Sequence, residues 1–254
     1  MVLAVSITNQ DIQFGCYRDG SCVAQFSLAA ESVRTADEYA VLLAGGMSLK
    51  GMDAKAVTGA IVSSVFPPLT KTVKQAISIV SGVVPSEVGP GLKTGLNIKI
   101  ENPAQLGSDL VAMTVGALTR YSAPLLLVNF EVATTISIVD DSRAFCGAIL
   151  APGIAASISS LSKNAANLPE ISLEAPRDIV GKNTVEAMRS GAVYGGAAML
   201  DGFISRLSER FSMKPTVVAA GKHCSLILQH CESTVQEDQM LVLDGLYAIY
   251  QKNQ

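Results

Sequence analysis

The chain has no excess of positive charge: 19 Lys and Arg stand against 22 Asp and Glu, a formal net charge of -3. That excludes the electrostatic footprint expected of a protein that holds DNA or an anionic membrane surface. It has no C-x-x-C pair, and its five cysteines are odd in number and scattered, so a disulfide framework is not expected. Histidine is nearly absent. His223 and His230, with their neighbours Cys224 and Cys231, repeat at a spacing that returns to one helix face but matches no common zinc pattern. The opening residues Met1 to Val5 lack a basic n-region, so no signal peptide is expected. The longest uncharged run, 144–162, is interrupted by Pro152-Gly153 and carries four serines, which excludes a membrane span there. The expectation is a cytoplasmic chain with reduced thiols.

What is present is apolar and regular. With 49% hydrophobic residues, a chain of 254 can bury a sizeable core in one large domain or two ordinary ones. Val2–Val5 reads as a buried strand. Ile12, Phe14 and Cys16 alternate with Gln13 and Gly15 as in a half-buried strand, and Asp19-Gly20 turns the chain into a third strand at Cys22–Phe26. Thr35 and Glu38 form a capping box that predicts a helix to about Gly45. A strand follows over 56–65, and Pro67-Pro68 opens a helix to about Val80. Beyond a glycine-rich loop, 89–95, a helix is predicted over 106–121 with Leu110, Met113, Ala117 and Leu118 on one face.

The meander pattern then returns, with strands at 125–129, 133–139 and 143–150 and a turn at Asp140-Asp141. Pro152-Gly153 opens a helix to about Ala166, and Asn183 with Glu186 is a second capping box, for a long helix to about Phe211. A strand over 216–220 turns at Gly221, and helices over 226–230 and 240–250 close the chain. Cys16 and Cys146 fall in strand patterns and are predicted to be core thiols. Two meanders half a chain apart predict a duplicated, two-lobed α/β fold of the sugar kinase–actin-like (ribonuclease H-like) kind. The lobes divide at about 1–115 and 116–254. In that layout the first hairpin of each lobe holds phosphates.

Phosphate-binding hairpins of this build carry an acid before the turn and a glycine within it, so that backbone N–H groups can approach the phosphates. Here the second hairpin has Asn129 in place of the acid and Glu131 in place of the glycine. The frame is present without its chemistry.

Several runs together resemble the type III pantothenate kinases. They are Ser63 to Thr70, Lys93-Thr94-Gly95-Leu96, Asn102-Pro103 leading to Gly107-Ser108-Asp109, and Ala133-Thr134-Thr135. Gly147 with Pro152-Gly153, Leu168-Pro169, Gly181-Lys182-Asn183-Thr184 and the Gly245–Asn253 ending continue the match. The resemblance covers the whole chain in order. It implies a two-lobed fold, a dimer, and phosphoryl transfer from ATP to pantothenate, assisted by Mg²⁺ and a monovalent cation, K⁺ or NH₄⁺.

Carried over position by position, the resemblance divides the site. On the nucleotide side the first hairpin would read Asp-x-Gly-Asn-Thr, and here Ser6, Thr8 and Gln10 replace three members while Asn9 is kept. In the second hairpin Asn129 stands at the monovalent-cation position, and Glu131 and Val132 replace a glycine and a threonine. A carboxylate about 4 Å from a phosphate costs on the order of 4 kcal/mol per unit charge at a surface-like dielectric. After Gly221, Lys222 stands where a second glycine lies near the adenosine. On the acceptor side Asp109 matches the catalytic base, Gly107 is kept beside Ser108, and Thr184 matches a pantothenate contact. Leu110 replaces an arginine there, and Ile100 a tyrosine that lines the pocket.

Each position also has a structural reading. Asp109 suits the first turn of a helix, where carboxylates favour the dipole, and Asn183-Thr184 suits a helix start. Three functions stay open: a degenerate subunit beside a motif-complete homologue, an active kinase with remodelled phosphate contacts, or a ligand-binding or regulatory protein. Homodimer and heteromer are both open.

Overall fold

The computed structural model describes residues 1–210 and 214–254; the helix end expected at Phe211 lies outside the described residues. In chain order the strands and helices are β1 (Val2–Ile7), β2 (Asp11–Arg18), β3 (Ser21–Ala29), α1 (Ala36–Leu49), β4 (Gly59–Ser64), α2 (Pro67–Ser81), β5 (Ser86–Glu87) and β6 (Asn97–Ile98). They continue with α3 (Ser108–Arg120), β7 (Leu125–Phe130), β8 (Ala133–Val139), β9 (Ala144–Pro152), α4 (Ile154–Asn164), α5 (Thr184–Ser208), β10 (Thr216–Gly221), α6 (Cys224–Leu228), β11 (Gln236–Glu237) and α7 (Leu241–Gln251).

Two compact units result. The first contains Met1–Leu96, Glu101–Arg120 and Met240–Gln254; the second contains Asn97–Ile100 and Tyr121–Gln239. This division departs from the chain-order one expected at 115/116, because α7 packs in the first unit.

The first unit holds a sheet in the order β3-β2-β1-β4-β5. β1 to β3 form the antiparallel meander, and β4 and β5 join it in parallel. One face packs Leu3, Val5, Ile12 and Phe14 against Tyr39, Leu43, Leu69 and Val73 of α1 and α2. On the other face small residues admit α7. A Cβ on Gly15 would press on Leu243, and one on Gly59 would overlap the Tyr250 ring. Thr35 and Glu38 make the predicted capping box, and α1 runs past Gly45 to Leu49. Asp19 and Gly20 both take positive φ (50° and 86°), the pair that a two-residue hairpin turn requires.

The second unit repeats the pattern: β9, β8 and β7 form a meander, and β10 and β11 extend it in parallel from β7. Every residue of β7 is buried, as in a strand covered on both faces. Its core joins Leu126, Val128 and Phe130 to Val193, Ala197 and Leu200 of α5. Matching strand orders in the two units bear out the duplication.

Several local expectations change. The strand predicted over 56–65 is confined to Gly59–Ser64, because Ala54–Ala56 form a short 3-10 turn capped by Asp53. The helix predicted from 106 starts at Ser108, after another 3-10 turn at Pro103–Gln105. Its residues Leu110 to Ala117 are all buried, not one face alone. Pro152 ends β9, and Gly153 is the α4 N-cap. The short helix is Cys224–Leu228. The predicted core thiol Cys16 is buried, with burial pushing it up to about 11. Cys146 is exposed, because β9 turns that face outward.

Candidate functional site

In the first unit the β1–β2 turn carries Thr8, Asn9 and Gln10, with Asn9 and Gln10 exposed at its tip. Ser6 is the penultimate residue of β1 and is 3% exposed. Thr8 folds over the turn. Its Oγ1 accepts the backbone N–H groups of Gln10 (3.1 Å) and Asp11 (3.0 Å) and donates to Asp11 Oδ1 (2.8 Å). The turn therefore satisfies its own amides.

Of the residues expected on the acceptor side, Ser108 stands beside it, because it meets Ser63, which lies opposite Ser6 in the parallel β1–β4 ladder. Ser63 Oγ is 2.8 Å from Ser108 Oγ, and Ser108 Oγ also accepts the Ser64 N–H (3.1 Å) and donates to the Ser64 carbonyl (3.2 Å). The hydroxyl of Ser108 thus locks the start of α3 to the end of β4. The next residue is Asp109. Burial holds its carboxyl above the ordinary carboxylate range, while N–H groups of Leu110 and of Asp109 itself oppose that shift. Gly107 leaves space for the Asp109 carboxylate, which a Cβ there would strike. Leu110, at the arginine position, is buried in the α3 core.

In the second unit Asn129 is the penultimate residue of β7 and is 8% exposed, the counterpart of Ser6 in β1. Glu131 and Val132 form the turn into β8, with the Glu131 N–H bonded to the Ala133 carbonyl at 3.2 Å. Gly153 supports this turn from below: its N–H donates to the Val132 carbonyl at 3.1 Å, and a Cβ on it would overlap the Glu131 and Val132 backbone. Beyond the turn, Thr134 Oγ1 and Thr135 Oγ1 are buried without a hydrogen-bond partner. Gly221 pairs with Phe130 in the β7–β10 ladder, and the Lys222 N–H donates to the Phe130 carbonyl (3.1 Å). Its positive φ (107°) and the nearness of Phe130 both require glycine. The exposed Lys222 helps to hold His223 below its ordinary pKa, second to burial.

Ile100 follows β6 at the far edge of this sheet, where the Lys99 N–H donates to the Phe145 carbonyl. Thr184 is exposed at the first turn of α5. It lines a groove of ≈ 700 Å³ with Lys182, Ile158, Leu161, Leu168 and Met188. Asn183 caps α5 through the Glu186 N–H, but the expected capping box is half formed. The Glu186 carboxylate turns to the Arg177 N–H and the Arg189 guanidinium instead.

At the strand ends the donor set offers a divalent ion no carboxylate. The two strand-end positions next to the turns are neutral Ser6 and Asn129, and among the described residues no three His, Cys, Asp or Glu side chains gather as a metal-binding group. The unpartnered Thr134 and Thr135 hydroxyls point to opposite faces of β8, so one of them at most faces any single polar ligand. Two residues were missed in the sequence. Asp11 has a local signal, its spacing of three from Thr8. Gln239 has none: its carboxamide bridges the Gly221 N–H (2.9 Å) and carbonyl (3.2 Å) from a distant segment.

The family model described as type III pantothenate kinase matches residues 2–206. The chain is 37% identical over 254 residues to a type III pantothenate kinase from Exiguobacterium sp., covering 100% of both chains. It is 34% identical over 253 residues to the one from Halalkalibacterium halodurans, again covering 100% of both. A Sinorhizobium meliloti structure provisionally described as a 2-dehydro-3-deoxygalactonokinase aligns over 99% of this chain and 96% of its own, with a TM-score of 0.57 and 11% identity. The fold is the sugar kinase–actin-like one.

Proposed function

The chain belongs to the type III pantothenate kinase family, and from that premise we propose that it is a degenerate subunit acting beside a motif-complete homologue. One observation carries this reading: the two strand ends that lead into the phosphate turns bury Ser6 and Asn129, neither of which can carry a charge. A buried neutral side chain there supplies no charge to anchor the metal that bridges a polyphosphate, and it holds a cation more weakly than a carboxylate would. The ATP, Mg²⁺ and K⁺ or NH₄⁺ of the family reaction would then be held by the partner.

The kept residues suit a contributing role. Thr184, Lys182 and the apolar groove present an exposed α4–α5 surface. Along α5, Ala187, Gly191 and Gly195 continue that surface with small residues, and a Cβ on either glycine would meet open space. A second chain, identical or homologous, can approach such a helix face closely. No helix among the described residues is long and apolar enough to cross a membrane.

The test is calorimetric titration of the purified chain with Mg·ATP, alone and mixed with a motif-complete homologue. The expected result is no heat from the lone chain and a stable, pantothenate-phosphorylating complex in the mixture. Binding by the lone chain at ordinary kinase affinity would overturn the reading.

A second reading, an active kinase with remodelled phosphate contacts, is favoured by a partnerless hydroxyl at the start of β8 and by the retained, desolvated Asp109. Turnover by the lone chain that disappears in Asp109→Asn would establish it.

A further inference from the structure

The two phosphate turns differ in how their amides are satisfied. In the second, the Glu131 N–H meets a backbone carbonyl, as in any hairpin. In the first, two N–H groups, from Gln10 and Asp11, converge on one side-chain oxygen, Thr8 Oγ1. Convergent amides of a tight turn form the concavity in which backbone binds an anion. An oxygen that accepts two of them at 3.1 and 3.0 Å takes the place that a phosphate oxygen would occupy. The Thr8 hydrogen points away, toward Asp11 Oδ1 at 2.8 Å and the Asp11 carbonyl at 3.1 Å, so a carboxylate backs the plug.

We propose that the Thr8 hydroxyl is an internal surrogate for a phosphate oxygen, closing the β1–β2 turn of this chain against phosphate ligands. The proposal rests on the degenerate-site reading above and names the residue that enforces it. It makes Thr8, not the Asp11 charge alone, the barrier. A ligand phosphate must displace a bonded hydroxyl whose amides are already satisfied, so its approach gains nothing there.

The experiment follows the Gln10 and Asp11 amide resonances of the full chain during titration with tripolyphosphate and with Mg·ADP. It compares the wild type with Thr8→Ala, Thr8→Ser and Asp11→Asn. In Thr8→Ala the two amides are expected to shift and saturate with an affinity about tenfold or more above wild type, the scale of one charge-assisted hydrogen bond. Thr8→Ser keeps the hydroxyl and is expected to behave as wild type, as is Asp11→Asn. Wild-type amides that respond as strongly as those of Thr8→Ala would overturn the proposal. So would equal gain in Asp11→Asn, which would make charge the barrier. A folded Thr8→Ala with no gain would also overturn it, and Thr8→Gly, judged by the same amides, replaces it if the alanine variant does not fold. Wild-type heat with Mg·ATP while both amides stay silent would overturn the degenerate-site reading and leave Thr8 as proposed.

Discussion

Gly116 of α3 and Gly245 of α7 face each other so closely that a Cβ on either would overlap the partner helix's backbone, at Leu241 and Ala112 respectively. The two helices therefore pack main chain against main chain, and this contact holds the C-terminal helix in the first unit. Gly245→Ala is expected to cost about 3 kcal/mol or more, the upper range for overpacking, because backbone cannot rotate away as a side chain can. The urea midpoint of unfolding measures it. A change below about 1 kcal/mol would mean the helices separate without cost.

Tyr17 and Asp244 tie the same region together. The phenol donates to Asp244 Oδ1 over 2.5 Å, Arg120 pairs with the same carboxylate, and Tyr247 stacks on Tyr17 at 4.5 Å. Burial, then the bond to Asp244, pushes the Tyr17 pKa well above its ordinary value. A raised pKa contributes stability that is complete below the unfolded value of about 10 and declines as pH rises through the folded one. Wild type is expected to lose stability above about pH 10 more steeply than Tyr17→Phe. The tyrosinate absorbance of the folded protein below that pH is expected to be the same in both.

Asp109 shows the opposite balance at neutral pH. Its folded pKa is raised by burial, so its contribution is favourable below the ordinary carboxylate range and is lost as pH rises through the folded value. Asp109→Asn is therefore expected to melt higher than wild type at pH 7, with the difference shrinking toward pH 4. Thermal melts at the two pH values decide it, and equal melting at pH 7 would mean that the carboxylate is well solvated.

Thr134 is 1% exposed, and its hydroxyl has no partner. Replacing a buried, unpartnered hydroxyl by a methyl of the same shape is nearly neutral or stabilising, by about 1 kcal/mol. Thr134→Val is expected to hold or raise the melting temperature of the lone chain while weakening any complex that binds nucleotide through this strand. A clear loss of stability in the lone chain would show that the hydroxyl has a structural partner.

Asn253 bridges the Lys93 N–H (3.1 Å) and carbonyl (2.9 Å), and Lys252 Nζ reaches the Thr94 carbonyl (3.2 Å). Two runs that carry the family resemblance are thereby joined as one structural element. Asn253→Ala is expected to raise hydrogen exchange in the 89–95 loop with little change in global stability. Unchanged exchange would mean that the loop holds itself.

Much of the fold was legible because its information is local. Alternation at Ile12, Phe14 and Cys16, the Asp19-Gly20 turn and the Thr35–Glu38 box act over a few residues, and each produced its element. Elements made by neighbours were not legible. β5, β6 and β11 are two residues each and exist only because β4, β9 and β10 offer free ladder positions. Cys146 carries the alternation of a core residue but faces out of β9, since alternation fixes two faces and not which one is covered.

For the site, the sequence by itself determined the chemistry available: neutral side chains at 6 and 129, a carboxylate at 131, and retained Asp109 and Thr184. Side-chain identity needs no coordinates. Only the tertiary structure decided how those groups are engaged. Ser108 is locked to β4 by Ser63 and Ser64, Gln239 closes on Gly221, and α7 returns to the first unit through Gly116 and Gly245. These contacts join residues far apart in the chain, and they form only after the loops between them close and the core has fixed both ends.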